Sequence, residues 1–236
     1  MLTCCNLISG CIAAIAALHG HFLLALLMIV IGAVFDFFDG MVARLLHVSS
    51  PIGKELDSLA DVVTFGVAPS MMLFAYIAAS FQLGSPDITM VIRAEGESRW
   101  LTLLSFLPLL MAAFSALRLA KFNLDERQSM GFIGLPTPAN ALFWGAVIVA
   151  LQRHGIYFSG IQYVILAAML ISCYLLVSEI PMFALKFKTW GWHGNEIKYI
   201  FLLTSALLIV FLGVAGIAAV IAWYVVLSVI TTLYNK

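Results

Sequence analysis

The sequence has few charged residues, and this scarcity excludes a water-soluble domain. Of its 236 residues, 10% are Asp, Glu, Lys or Arg and 63% are hydrophobic, whereas a soluble domain carries about 25% charged and about 45–50% apolar residues. Twelve basic and twelve acidic residues give a net charge of zero, so no charge excess indicates binding to nucleic acid. The composition predicts a polytopic membrane protein that has no soluble domain.

Cysteine is also scarce, and its spacing favours neither a metal site nor a disulfide framework. The four cysteines are Cys4, Cys5, Cys11 and Cys173, without a Cys-x-x-Cys spacing or an accompanying histidine pattern. We interpret them as small apolar residues of membrane segments. The N-terminus lacks the basic stretch of a signal peptide, so its first apolar run is interpreted as a membrane helix.

Long apolar runs, separated by polar residues, glycine or proline, are what the sequence has in abundance. A membrane-spanning helix needs about 20 residues, and the runs divide the chain into eight segments. We therefore predict an all-α fold, a polytopic bundle of about eight transmembrane helices forming one domain over residues 1–236. The predicted segments are 5–18, 22–46, 56–79, 100–122, 139–152, 161–178, 199–214 and 217–234.

Basic residues are distributed unevenly between alternate loops, and this predicts the orientation in the membrane. Arg93, Arg99 and Arg153 fall on one side, and the other nine of the twelve Lys and Arg residues fall on the opposite side. Cytoplasmic loops carry the excess of basic residues, so both termini are predicted to lie inside the cell. The polar stretch 82–98 is then an external loop. Residues 182–198 mix aromatic residues with lysines, which fits either an interfacial segment or a solvated loop.

Four aspartates lie in two successive apolar segments, where a charge is costly. Each Asp at mid-bilayer costs about 2.5–3.5 kcal/mol on the insertion scale. Asp36 and Asp39 share one face of the second segment, and Asp57 and Asp61 share one face of the third. The short connection makes the two helices antiparallel neighbours, which brings four carboxylates together near the cytoplasmic edge. Oxygen ligands suit Mg²⁺, Mn²⁺ or Ca²⁺ better than zinc, so the cluster predicts a divalent-cation site.

Three small residues and one arginine accompany the aspartates. Gly40, Ala43 and Gly53 lack bulk, which would let a helix or a nucleotide approach closely. Arg44 lies one turn beyond Gly40 and offers a bidentate fork to a phosphate, although an arginine there also fits an interfacial anchor. Beside a metal cluster we favour the phosphate role.

The spacing of these residues resembles the signature of a known enzyme family. Their pattern is Asp36-x-x-Asp39-Gly40-x-x-Ala43-Arg44, eight residues, then Gly53-x-x-x-Asp57-x-x-x-Asp61. At every fixed position it resembles the signature of the CDP-alcohol phosphatidyltransferase family. The resemblance implies a membrane enzyme, a homodimer with one site in each protomer, that transfers a phosphatidyl group from a CDP-linked lipid to a hydroxyl group and releases CMP.

Two further stretches, 56–70 and 116–140, resemble the phosphatidylserine synthase subfamily. This resemblance implies that CDP-diacylglycerol and L-serine are the substrates, and it is clearest over residues 1–140. Lys121 and Thr137 depart mildly from the subfamily pattern. Archaetidylserine synthases are close relatives, so an archaeal CDP-lipid stays open as the donor.

The resemblance also implies roles for individual residues. We expect two Mg²⁺ or Mn²⁺ ions, held by Asp36, Asp39, Asp57 and Asp61, to bind the diphosphate, with Asp61 as the base that accepts the serine proton. Arg118, Lys121 and Asn123 lie at the cytoplasmic end of the fourth segment. There they would bind the serine carboxylate by charge-assisted hydrogen bonds, although the two basic residues also fit membrane anchoring. The residues expected to bind the CDP-lipid are Asn6, Asp39, Gly40, Ala43, Arg44 and Gly53. Asn6 fits a helix-capping residue equally well.

Two alternatives to serine transfer follow from the same residues. Glycerol phosphate or inositol phosphate as acceptor would call for a denser basic site than Arg118 and Lys121 supply. A cation or proton transporter would place acidic residues near the bilayer midplane, whereas these lie near one edge. We therefore favour a phospholipid-synthesising enzyme of the prokaryotic inner membrane, with its active site at the cytoplasmic face.

Overall fold

The computed structural model of the chain is a helical bundle. It describes residues 2–46, 50–81, 96–124, 133–156, 160–182, 191 and 195–234. Within these ranges there is no β-strand, and the single isolated bridge joins Ile133 to Pro181. The all-α prediction is confirmed. The helices are α1 (Leu2–Leu18), α2 (Phe22–Leu45), α3 (Pro51–Asp61), a π-helix (Val62–Val67), α4 (Ala68–Ser80), α5 (Glu97–Phe106), α6 (Leu109–Leu124), α7 (Thr137–His154), α8 (Ile161–Val177), α9 (Glu196–Leu212) and α10 (Val214–Tyr234).

The bundle contains long apolar helices, as a membrane protein requires. Fewer of its helices are long enough to span a bilayer than the eight that the sequence predicts. Leu2–Leu18 and Ile161–Val177 are apolar but have 17 residues each, or about 25 Å, against a hydrocarbon core of roughly 30 Å. Each of the eight predicted segments contains a helix, but eight transmembrane helices are not confirmed. Among the described residues, four helical stretches are long and apolar enough to span: Phe22–Leu45, Pro51–Ser80, Arg99–Leu124 and Val214–Thr232.

The third predicted segment begins five residues earlier than expected, at Pro51. Ser50 Oγ accepts a hydrogen bond from the Gly53 backbone N–H at 2.9 Å, and Pro51 takes the first helical position. Both features are favourable helix starts, because the serine satisfies a free N–H and the proline has none to satisfy. The earlier start places Asp57 and Asp61 inside a well-capped helix instead of at its fraying end.

The long helix from Pro51 to Ser80 widens in the middle, directly after Asp61. Val62–Val67 form a π-helix, and the Ala68 N–H bonds to the Val63 carbonyl five residues back. Pro69 follows at the start of α4. A proline lacks an N–H and its ring clashes with the carbonyl four residues earlier, and a widened turn relieves both problems. The π-helix therefore rotates the residues after Asp61 relative to a regular helix.

Helix α1 packs against α2 and the π-helix with almost no space between them. A methyl group added at Gly10 would lie 2.7 Å from the Thr64 Cα, and one at Gly32 would lie 2.6 Å from the Thr64 Cγ2. Both contacts are shorter than any packed carbon pair, so only glycine fits at these positions. The close approach fixes the beginning of α1 beside the ends of α2 and α3 that carry the aspartates.

Two predicted loops fall largely outside the described residues. Of the predicted external loop 82–98, only its last three residues are described, and α5 already begins at Glu97. Of the predicted interfacial or solvated segment 182–198, residues 183–190 and 192–194 are not described. Its last residues, Glu196 to Lys198, form the first turn of α9, so the loop prediction was too long at this end.

Candidate active site

Three of the four predicted aspartates, one on α2 and two on α3, converge at one point. One carboxylate oxygen of Asp36, one of Asp57 and one of Asp61 all lie within 4.8 Å of one another. Asp36 and Asp57 are half-buried, and Asp61 is 8% exposed. The i and i+4 spacing on α3 and the short connection from α2 therefore bring three carboxylates to one point, as the sequence spacing predicts.

The chemistry of this donor set fits a divalent cation. The Asp36, Asp57 and Asp61 carboxylate oxygens lie within 4.8 Å of one another, and three negative charges at this separation repel strongly in a partly buried site. A hard cation removes the repulsion and satisfies the oxygens that face inward. Carboxylates without His or Cys are the ligands of Mg²⁺, Mn²⁺ or Ca²⁺ and not of zinc.

The fourth aspartate, Asp39, is tied to helix α1. It lies one turn from Asp36 on α2, and its carboxylate accepts a hydrogen bond from the Thr3 hydroxyl. It is not one of the three residues whose oxygens converge. Asp39 therefore sits at the edge of the cluster, between the shared carboxylate site and the first turn of α1.

Asn6 lies under Asp61 and not at an open surface. Its side chain is fully buried, and its Nδ2 donates to Asp61 Oδ1 at 3.0 Å. Thr64 on the π-helix donates its hydroxyl hydrogen to the Asn6 carbonyl oxygen at 2.9 Å. The family resemblance predicts that Asn6 contacts the nucleotide. In the structure, its side-chain amide instead contacts Asp61, the residue that is predicted to be the catalytic base.

The small residues of the motif have two different surroundings. Gly40, Ala43 and Arg44 are exposed on the last turns of α2, and a methyl group at Gly40 would meet no atom of the described residues within 4 Å. This face is therefore open to a ligand beside the carboxylates. At Gly53 a methyl group would lie 2.9 Å from Ser50 Oγ, the atom that caps α3, so Gly53 makes room for the cap.

Of the three predicted serine-binding residues, Arg118 is the one with buried free donors. It is 6% exposed, its Nε and Nη2 have no hydrogen-bond partner among the described residues, and its guanidinium carbon lies 5.8 Å from the Phe122 ring centroid. Lys121 is exposed. The Asn123 side-chain amide donates to Ser58 Oγ at 2.9 Å, and its backbone carbonyl oxygen accepts a hydrogen bond from Lys54 Nζ at 3.1 Å. Asn123 therefore joins α6 to α3.

Four buried polar residues were not predicted as functional from sequence. Thr3 and Thr64 make the α1 contacts described above. Ser115, one turn before Arg118, and Asn140, at the start of α7, are fully buried. Among the described residues, no hydrogen-bond partner is found for Ser115 Oγ or for the Asn140 side-chain nitrogen and oxygen. These residues could have been found in the sequence as polar residues within apolar segments, the same feature that identifies the aspartates.

The chain matches a family model described as CDP-alcohol phosphatidyltransferase over residues 1–180. It belongs to this family. The convergent aspartates all fall within the matched residues, so the geometry and the family match concern the same part of the chain.

Several relatives of the chain share one name, CDP-diacylglycerol–serine O-phosphatidyltransferase. The protein of Bacillus subtilis (strain 168) is 39% identical over 152 residues, which cover 64% of this chain and 73% of that protein. The protein of Helicobacter pylori (strain J99 / ATCC 700824) is 28% identical over 245 residues, which cover 100% of this chain and 94% of that protein. A protein of the same name from Methanocaldococcus jannaschii is 34% identical over 141 residues, which cover 60% of this chain and 55% of that protein.

Proposed function

We propose that the chain transfers the phosphatidyl group of CDP-diacylglycerol to the hydroxyl of L-serine, producing phosphatidylserine and CMP. The observation that carries the proposal is the convergence of Asp36, Asp57 and Asp61 within 4.8 Å beside the open α2 face. Family membership supports the transfer reaction, and relatives that align over the whole chain support serine as the acceptor.

The proposed cofactors are two Mg²⁺ or Mn²⁺ ions per site. Asp36, Asp57 and Asp61 would hold them together, with Asp39 supplying a further ligand from the neighbouring turn of α2. When bound, such ions neutralise negative charge on the diphosphate and on the departing CMP. The oxygen-only donor set supports this cofactor class.

In the proposed reaction, Asp61 takes the proton of the serine hydroxyl. The hydroxyl oxygen forms a bond to the phosphorus that carries diacylglycerol, and the bond from this phosphorus to the bridging oxygen breaks. CMP leaves with that oxygen and its electron pair. A serine hydroxyl is a weak nucleophile until a base removes its proton, and the buried Asp61 beside the metal site is placed for that task.

The CDP-lipid is proposed to bind along the exposed end of α2. Arg44 would pair with a phosphate of CDP, while Gly40 and Ala43 leave space for the nucleotide. A guanidinium binds phosphate through two parallel hydrogen bonds. Gly53 contributes indirectly, because it permits the Ser50 cap that orders the start of α3.

Arg118 is the proposed partner of the serine carboxylate, with Lys121 and Asn123 at the same end of α6. Replacing Arg118 with Met is expected to raise KM for serine by roughly 10–100-fold, because a hydrogen bond to a charged group contributes about 1.5–3 kcal/mol. KM for CDP-diacylglycerol should stay near the wild-type value. Initial rates at varied concentrations of each substrate measure both constants.

The control for Arg118→Met is Lys121→Met, which removes a positive charge from an exposed position on the same helix. Its KM for serine should rise by much less than that of Arg118→Met. Equal increases in the two variants would indicate general attraction by positive charge and would contradict a specific carboxylate contact at Arg118.

Acceptor competition tests the proposed function directly. Purified protein is given CDP-diacylglycerol with radiolabelled serine, glycerol 3-phosphate or inositol phosphate, and the labelled lipid is measured. Serine alone should be incorporated, with CMP released in equal amount. Lipid formed from a phosphorylated acceptor would overturn the assignment. Ion flux in protein-containing liposomes without nucleotide would support a transporter instead, and CDP-archaeol as donor tests the archaeal alternative.

We further propose how the enzyme lies in its membrane. All eight predicted segments cross a prokaryotic inner membrane, and the site opens to the cytoplasm where CMP and serine exchange. The support is the excess of basic residues, nine of twelve, on the side of the aspartates. The proposed assembly is a homodimer with one site in each protomer. Cysteine labelling of single-cysteine variants from either side of the membrane tests this orientation.

A further inference from the structure

Helix α1 touches the carboxylate cluster at two points, one on each acidic helix. Thr3 donates to Asp39 on α2, and Asn6 donates to Asp61 on α3. The two residues are three positions apart and lie on the buried face of α1, where side chains at this spacing point the same way. One helix therefore holds one carboxylate from each of the two aspartate pairs.

The Asn6 side chain has little freedom to leave Asp61. It is fully buried, and the Thr64 hydroxyl bonds to its backbone carbonyl. A methyl group at Gly32 would lie 2.9 Å from Asn6 Oδ1, so the neighbouring backbone closes on the amide. The Gly10 contact with Thr64 locks the same region of α1 against the π-helix.

The chemical effect of the contact falls on the orientation of Asp61. An amide NH₂ is a donor and occupies a lone pair of Asp61 Oδ1 at 3.0 Å. With one oxygen held, the carboxylate cannot rotate freely, and its other oxygen keeps one direction. Groups that orient the ligands and bases of a metal site commonly change metal affinity or activity by 10–100-fold when they are removed.

We propose that Asn6 and Thr3 are positioning residues, which fix Asp61 and Asp39 relative to each other through helix α1. This inference rests on the proposed function for the identity of the reaction. It differs from the expectation that Asn6 contacts the nucleotide, because it assigns the side chain to the protein's own base. Helix α1 is then part of the catalytic architecture, although neither residue touches a reacting atom.

The two roles of Asn6 predict different kinetic changes. Loss of a positioning contact lowers kcat and leaves KM for CDP-diacylglycerol nearly unchanged, whereas loss of a nucleotide contact raises that KM. With Mn²⁺ at a concentration that saturates each variant, we expect kcat of Asn6→Ala to fall by roughly 10–100-fold, with KM for the CDP-lipid within about twofold of wild type.

A matched control lies on the same face of α1. Ser9 is buried, three positions after Asn6, and its hydroxyl bonds to the Cys5 carbonyl of its own helix. Ser9→Ala removes a buried polar group from α1 without touching an aspartate, so kcat should stay near wild type. At the other contact, Thr3→Val should lower kcat and Thr3→Ser, which keeps the hydroxyl, should restore it.

Binding of Mn²⁺ alone provides a readout that does not depend on turnover. Mn²⁺ titrated into purified protein without substrates should bind about tenfold more weakly to Asn6→Ala than to wild type or Ser9→Ala. Thermal unfolding of each variant in detergent shows whether the bundle is intact. A raised KM for CDP-diacylglycerol with unchanged kcat and unchanged Mn²⁺ affinity overturns the proposal.

The same measurements separate this inference from the proposed function. If wild-type protein incorporates no serine but Asn6→Ala still loses Mn²⁺ affinity, the positioning role stands and the acceptor assignment fails. If serine transfer is normal in wild type and Asn6→Ala matches it in kcat and Mn²⁺ affinity, the positioning role fails and the proposed function stands.

Discussion

Replacing Asp61 with Asn is expected to lower the rate of serine transfer by about 10²–10⁴-fold, the usual contribution of a positioned general base. Asn has nearly the same shape, but its amide does not accept the hydroxyl proton and is a poorer ligand for a cation. Both proposed tasks of Asp61 are therefore lost together. The measurement is incorporation of radiolabelled serine into lipid by purified protein in mixed micelles of CDP-diacylglycerol.

Two neighbours on α3 serve as comparisons for Asp61→Asn. Asp57→Asn should also lose serine transfer, because Asp57 belongs to the convergent carboxylates. Glu55→Gln changes an exposed carboxylate on the same helix and should keep near-normal turnover. Each variant must insert into the membrane and elute from a size-exclusion column as the wild-type protein does. Normal turnover by a folded Asp61→Asn protein contradicts the mechanism.

Removal of divalent cations with EDTA is expected to reduce serine transfer to background. Without a cation, carboxylates whose oxygens lie within 4.8 Å repel one another, and the charge that develops on the diphosphate has no counter-ion. Added Mg²⁺ or Mn²⁺ should restore the activity, whereas Zn²⁺ should restore less because the convergent ligands, Asp36, Asp57 and Asp61, are all carboxylates.

The reversibility of the EDTA effect distinguishes a site requirement from damage to the protein. Unfolding temperature and elution volume should show an intact bundle in EDTA. Asp36→Asn should need a higher Mn²⁺ concentration for half-maximal activity than wild type, because it removes one of the convergent ligands. Full activity of the wild-type protein in excess EDTA is the result that excludes a catalytic cation.

Much of the candidate site was predictable because polar residues are conspicuous in an apolar chain. The spacing of Asp36, Asp57 and Asp61 within two adjacent helices is enough to place their side chains on facing sides, and the structure brings them together. Gly40 is exposed, and the CDP-lipid binding expected there stays a prediction. These predictions depend on helical periodicity and on a short connection, both of which are local properties.

Other features were not predictable because local pattern carries too little information. The start of α3 was placed too late because Lys54 and Glu55 interrupt the apolar run that was used to delimit the segment, whereas the Ser50–Pro51 cap starts the helix before them. Asn123, which is predicted to bind serine, also joins α6 to α3 through Ser58, and the sequence pattern did not predict that contact. Polarity marks a residue as unusual in a membrane helix, but its partner depends on which helix packs beside it.

By itself, the sequence determined the membrane class, the all-helical fold and the acidic motif, because composition and helical spacing depend on residues near one another in the chain. The tertiary structure alone decided that α1 completes the site. Asn6 and Asp61 are 55 positions apart, and they meet because Gly10 on α1 and Gly32 on α2 let both helices approach Thr64 on the π-helix. That contact depends on the packing of three helices at once, which no local pattern in the chain specifies.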